Sequence, residues 1–139
     1  MAEAALQVTA RHDLDTKAVE QGLYEFNVQS TGFDDGLDLA FVVEDAGEVV
    51  AAVAGYTWGG ICEVRTLWVH PDRRRGGLGW ALMIQAIDEA SARGCRLMFL
   101  TTYDFQAPDF YGRLGFETIA TILDKPLGHI EHIMRRSLT

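Results

Sequence analysis

Apolar and polar residues along this chain switch between a period of two and a period near 3.6, and the switches mark its elements. Residues 6–10 predict a short first strand. Asp13 is placed to cap a helix over 14–28, where Leu14, Ala18, Val19, Gly22, Leu23 and Phe26 fall near one face. Residues 30–36 are polar and contain glycine, a loop that carries Asp34 and Asp35. Stretches 39–44 and 48–56 flank Asp45-Ala46-Gly47 and predict a hairpin. Trp58-Gly59-Gly60 makes a second turn into a strand over 61–69, where strict alternation puts Ile61, Glu63, Arg65, Leu67 and Val69 on one face. A helix then runs to Arg93 and stops at Gly94. A compact apolar strand over 96–101 follows. Pro108 sits early in a short helix over 107–114, which Gly115 ends. Strands over 116–123 and 129–137 close the chain, joined by Asp124-Lys125-Pro126-Leu127-Gly128.

The order β-α-β-β-β-α-β-α-β-β combines antiparallel hairpins with one strand–helix–strand crossover over 61–101, which should be right-handed and parallel. The expected fold is α/β: a mixed, mostly antiparallel twisted sheet of six to seven strands with helices on both faces. At 139 residues the chain reads as a single domain, 1–139, large enough for a real core.

Composition narrows the classes. No run approaches the roughly 20 apolar residues of a membrane span. The acidic, short N-terminus lacks the basic start of a signal peptide, so a cytoplasmic protein with no membrane partner is expected. Cys62 and Cys95 are too few for a disulfide scaffold and have no metal-ligand spacing; they read as buried apolar residues. His129 and His132 lie three apart on an expected strand, so they point to opposite faces, and no metal site is expected. A net charge of −8 argues against nucleic-acid partners, whose binding needs broad basic surface. It leans weakly toward cationic acceptors.

Against that background Arg73-Arg74-Arg75-Gly76-Gly77-Leu78-Gly79 stands out, between the apolar Leu67-Trp68-Val69 and the helix beginning near Trp80. Glycines let the backbone approach a ligand, a helix start offers unpaired N–H groups, and arginines supply forked donors for phosphate. A P-loop needs Lys-Ser or Lys-Thr after the glycines, which is lacking. A dinucleotide fingerprint needs a third small residue, and Leu82 stands there.

Arg74-x-x-Gly77-x-Gly79 after Leu67-Trp68-Val69-His70-Pro71 resembles the acyl-CoA signature of the GNAT superfamily of N-acetyltransferases. Ala107-x-x-Phe110-Tyr111-x-x-x-Gly115-Phe116 resembles that superfamily's second signature. The likeness covers residues 39–139, the acyl-CoA-binding core, and leaves 1–38 as a variable substrate-side segment. It implies a GNAT-like fold and acetyl-CoA as cosubstrate. Leu67, Trp68 and Val69 would pair with the pantetheine arm and polarise the thioester carbonyl. The amides of Arg75, Gly76, Gly77, Leu78, Gly79 and Trp80 would hold the pyrophosphate, with charge from Arg74 and Arg75. Asp104 stands where the family usually has Asn; a carboxylate can accept an amide hydrogen bond there but not donate one.

The resemblance also implies roles in catalysis. Tyr111 matches the residue that gives a proton to the departing thiolate, although an aromatic pair on a helix is also read as core. Glu63, eleven residues before Arg74, resembles the base of the histone-acetyltransferase branch, with a Glu63–Arg65 ion pair or a water chain as alternatives. His129, after Gly128, is a further substrate-site candidate. The expected reaction is direct attack of a primary amine, from a small molecule or a peptide, on acetyl-CoA in a ternary complex. The alternative is a CoA-binding regulatory or interaction domain that has lost turnover. Relatives often pair through C-terminal strands, so the resemblance also admits a homodimer.

Overall fold

The computed structural model of the protein describes residues 5–139. They form two compact units, one ending at Phe33 and the other running Asp34–Thr139.

The first unit holds helix α1, Lys17–Thr31. It begins and ends three residues later than the apolar spacing predicts, because local hydrogen bonds set its ends. The Asp15 carboxylate accepts the Lys17 N–H at 3.1 Å, and the Thr16 hydroxyl bonds Glu20 Oε1 at 2.9 Å. At the other end Gly32 adopts φ 79° and returns its N–H to the Val28 carbonyl, a left-handed stop that costs glycine nothing. Asp13 is therefore not the cap. Residues 6–10, expected as a strand, are irregular. A period-two pattern needs a neighbouring strand to become one, and the pattern carries no information about whether a neighbour exists.

The second unit is a six-stranded sheet in the order β1-β2-β3-β4-β6-β5. Its elements are β1 (Leu37–Asp45), β2 (Glu48–Trp58), β3 (Ile61–Val69), α2 (Leu78–Ala92), β4 (Leu97–Tyr103), α3 (Pro108–Arg113), β5 (Glu117–Leu123) and β6 (Ile130–Ser137). Both tight hairpins have two-residue turns with positive φ at each position: Ala46 and Gly47 at 51° and 81°, Gly59 and Gly60 at 58° and 83°. That mirror-image turn matches the twist of the strands it joins. α2 packs on β1–β3 and closes a core of Leu39, Val53, Cys62, Met83, Met98 and Leu100. Each large apolar side chain buried this way contributes about 1.5–3 kcal/mol.

β3 is not uniformly alternating. Ala54 pairs with Thr66 and Gly55 with Val64, so Arg65 is an extra, bulged residue. The bulge flips the alternation: Cys62 and Val64 face the core before it, and Leu67 and Val69 after it. Glu63 therefore does not share a face with Leu67 and Val69, as strict alternation predicts. Gly55 is what the bulge requires opposite it, since a Cβ there would lie 2.2 Å from the Glu63 carbonyl oxygen.

Candidate active site

The bulge matters because of what β3 does next. β3 and β4 pair in parallel only from Ile61, Cys62 and Glu63 to Leu97, Met98 and Phe99. Beyond these residues the strands diverge, and a cleft of about 830 Å³ opens between Val64–Val69 on one side and Leu100, Thr101 and Thr102 on the other. The β4-facing edge of β3 has no strand partner along this stretch among the described residues, so its peptide groups, apart from the Val69 carbonyl that Arg74 engages, are available to an extended ligand. The cleft runs to the Arg-Gly turn and to Trp80, and its wall is completed by Phe105, Gln106, Ala107, Phe110 and Tyr111.

At the end of the cleft nearest the Arg-Gly turn, Gly77 holds φ 82° as the N-cap of α2. The first bond of the helix is Ala81 N–H to the Gly77 carbonyl at 3.0 Å, so the amides of Leu78, Gly79 and Trp80 precede it. Three N–H groups thus lie at the positive end of a 15-residue helix, where negative charge is favoured. A Cβ on Gly79 would make ordinary contacts with Phe110, Val69 and Leu67, so that glycine is not sterically forced.

The three arginines have different partners. Arg73 is ion-paired to Asp45 at the end of β1. Arg74 Nε donates to the Val69 carbonyl at 3.1 Å, which ties the turn back to the end of β3 and leaves its terminal nitrogens for a ligand. Arg75 takes a left-handed φ of 70° and has no ion pair among the described residues. His70 caps the short helical turn Pro71–Arg73, its Nδ1 accepting the Asp72 N–H at 3.1 Å. It is turn chemistry.

Tyr111 lines the cleft while remaining only 8% exposed. Its ring meets Phe110 and Phe116 edge to face at 5.2 and 5.9 Å. Burial pushes its phenol pKa above the usual value, because the phenolate would be poorly solvated. The group is thus both core and cleft wall, and it keeps its proton at neutral pH.

Glu63 lies outside the cleft lining. Its carboxylate is 3.7 Å from Arg65 Nε, and the Arg65 guanidinium sits 5.0 Å from the centre of the Tyr56 ring. Asp104 is turned toward His129, Oδ1 to Nδ1 at 3.1 Å. Cys62 is fully buried and its thiol is pushed up to about 11, by burial first and then by Cys95. No cluster of metal-ligating side chains occurs among the described residues.

Thr102, Phe105 and Gln106 were not singled out by sequence reasoning. Gln106 Oε1 accepts the Tyr103 N–H at 2.9 Å and closes the turn between β4 and α3, which brings Phe105 into the cleft wall. Their only signal was position, just before the second signature.

Residues 7–116 match the acetyltransferase (GNAT) family. The chain belongs to that family. It is 37% identical over 97 residues to the blasticidin-S acetyltransferase of Streptomyces morookaense, covering 68% of this chain and 70% of the relative. Among solved structures, an acetyltransferase from Bacillus cereus superposes with a TM-score of 0.81 at 23% identity, covering 95% of this chain and 97% of that one. An aminoglycoside 6'-N-acetyltransferase complexed with coenzyme A gives a TM-score of 0.67 at 15% identity, over 96% and 98% of the two chains.

The protein is thus a GNAT acyltransferase, and its six-stranded mixed sheet is the GNAT fold. None of the described helices is long and apolar enough to cross a membrane.

Proposed function

We propose that this GNAT protein moves the acetyl group of acetyl-CoA to a primary amine of a small, cationic acceptor, by direct attack in a ternary complex. The observation that carries the reading is a cleft between diverging parallel strands that ends on the free amides of a helix start. An extended thiol arm with a diphosphate at its far end suits that shape. The amides of residues 75–80 and the Arg74 and Arg75 guanidinium groups would hold the diphosphate. The β4-facing edge of Leu67, Trp68 and Val69 would hold the arm. A backbone N–H from that edge would face the thioester oxygen, where one preorganised donor is worth about 2.7–4 kcal/mol. Trp80, set edge to face against Phe110 at 6.3 Å, forms the rim.

Acetyl-CoA brings an activated thioester, and the chain's residues supply orientation and protons. Tyr111 is the proton donor to the leaving sulfur, and its raised pKa keeps it loaded across the physiological range. Cys62, buried and protonated, has no route to an acetyl-enzyme. The net charge of −8 and the likeness to the blasticidin-S acetyltransferase of Streptomyces morookaense support this acceptor class.

The test is release of free CoA thiol from acetyl-CoA with blasticidin S and a panel of small amines. Tight CoA binding with no release from any amine would favour a non-catalytic binding domain. General acids contribute about 10²–10⁴-fold, and a thiolate leaves fairly well unaided, so Tyr111→Phe should lose about 100-fold in kcat. Turnover unchanged in a folded Tyr111→Phe protein removes the proposed role.

A further inference from the structure

Asp104 and His129 are 25 residues apart in sequence, yet their side chains meet at 3.1 Å. Both are held by backbone bonds as well. The Asp104 N–H donates to the Ile130 carbonyl at 2.9 Å, and the His129 N–H donates to the Pro126 carbonyl at 2.8 Å. The imidazole also stands edge to face against Phe105, with centroids 5.0 Å apart, and Phe105 is stacked on Tyr103 at 5.2 Å. Phe105 lines the cleft. His129 is therefore fixed beside one ring of the cleft wall without itself belonging to the lining, and its side chain is 46% open to solvent.

The chemistry of the pair is directional. An ionised carboxylate only accepts, so the bond to Asp104 puts the neutral imidazole's proton on Nδ1 and leaves a lone pair on Nε2. The same carboxylate stabilises the imidazolium that forms when Nε2 takes a proton. Neighbouring titratable groups include Tyr103, stacked on Phe105, and Asp124 and Lys125 of the same loop as His129; the Asp124 carboxylate accepts the Gly128 N–H at 3.2 Å. The Lys125 ammonium is engaged by Glu131 of β6 at 2.8 Å and is not directed at the imidazole.

We propose that His129 is the proton acceptor for the incoming amine, reached through water, and that Asp104 is its positioning residue. This rests on the amine-acetylation reading above. An acceptor R–NH3+ gives one proton to Nε2. Its freed lone pair forms the N–C bond to the acetyl carbonyl carbon, the C–S bond breaks, and the thiolate takes the Tyr111 proton. The second amine proton restores Tyr111, and the imidazolium releases its proton to solvent. Asp104 is thereby assigned to the acceptor side of the reaction and not to the cofactor.

The experiment is the pH dependence of kcat/KM for the acceptor in wild type, His129→Gln, Asp104→Asn and Glu63→Gln, with folding and CoA affinity measured on each. His129→Gln should lose at least about 10-fold and the acidic limb of the profile, with CoA affinity unchanged. Asp104→Asn should lower kcat/KM more for a strongly basic acceptor than for a weakly basic one, with CoA affinity unchanged, because the ring has lost its charge-assisted hydrogen bond. A weakly basic acceptor, already neutral at the assay pH, should recover most of the His129→Gln loss, which a merely structural role would not produce. If His129→Gln does not fold, Asp104→Asn decides alone: an unchanged kcat/KM with the strongly basic acceptor overturns the proposal. A limb that persists in His129→Gln, or that disappears only in Glu63→Gln, overturns it too. A wild-type protein that binds CoA but acetylates no amine removes the activity reading and this inference together, whereas active wild type with an unchanged His129→Gln profile removes this inference only.

Discussion

Replacing Gly55 by alanine tests the link between the β3 bulge and the cleft. Its backbone is not in the left-handed region, so the effect of an added methyl is purely steric. That Cβ would lie 2.2 Å from the Glu63 carbonyl oxygen, 3.2 Å from its carbon and 3.3 Å from the Val64 Cα. All three obstacles are backbone, so no side-chain rotation relieves them, and β2 and β3 must separate by about 1 Å to regain ordinary contact. Overpacking costs about 1–3 kcal/mol, and with only backbone able to yield the upper end applies. For a chain of this size about 3 kcal/mol corresponds to a fall in Tm of about 10 °C. Glu63, whose carbonyl is displaced, is also the last residue that pairs with β4 before the strands diverge. Misplacement by about 1 Å can cost up to 10²-fold in a positioned site, so acetyl-CoA affinity should weaken by about 10-fold. Urea unfolding followed by circular dichroism and a titration with acetyl-CoA read both effects. A Gly55→Ala protein within 0.5 kcal/mol of wild type, with unchanged affinity, refutes the assignment of the bulge to Arg65 and its coupling to the cleft.

Gly22 should respond in the opposite direction. It lies inside α1 with nothing within 4 Å of an added Cβ, so Gly22→Ala should stabilise the helix by about 0.5–1 kcal/mol. Amide exchange through α1 should slow by about 2–5-fold, and faster exchange contradicts the placement of this glycine. Cys62 should resist alkylation in the folded state. With its thiol at about 11 rather than 9.0, the thiolate fraction at pH 8 is about 100-fold lower than in the unfolded chain, before steric exclusion is counted. Mass spectrometry that finds rapid native-state labelling of Cys62, or an acetyl group on it after acetyl-CoA, contradicts direct transfer. The Tyr111 phenol adds a sign at the alkaline end: its pKa is raised by burial, so its contribution to stability is complete below the ordinary phenol value and is lost as pH rises through the raised one.

Much of the fold was legible because the decisive signals are local. Two hairpins were readable from Asp45-Ala46-Gly47 and Trp58-Gly59-Gly60, since only certain residues accept positive φ in a two-residue turn. The crossover from β3 to β4 was readable because a glycine turn, a helix and a buried strand in that order admit one handedness. The glycine turn and the start of α2 were readable for the same reason, as they are built from consecutive residues. The bulge was not. An extra residue in a strand leaves an apolar pattern almost unchanged while reversing which side chains share a face, and it separated Glu63 from Leu67 and Val69. The ends of α1 were also misplaced, because Asp15 and Gly32 outcompete the apolar spacing.

By itself the sequence determined the order of elements, the glycine turn with its three arginines and the two signatures that mark a GNAT acetyltransferase, all of which depend on residues close together along the chain. Tertiary structure alone decided which arginine is committed to Asp45, that Tyr111 is both buried and at the cleft, and that Asp104 faces His129. Those facts depend on where strand β6 enters the sheet between β4 and β5 and on where β3 parts from β4. Such pairings are set by the packing of the whole sheet, and no stretch of neighbouring residues encodes them.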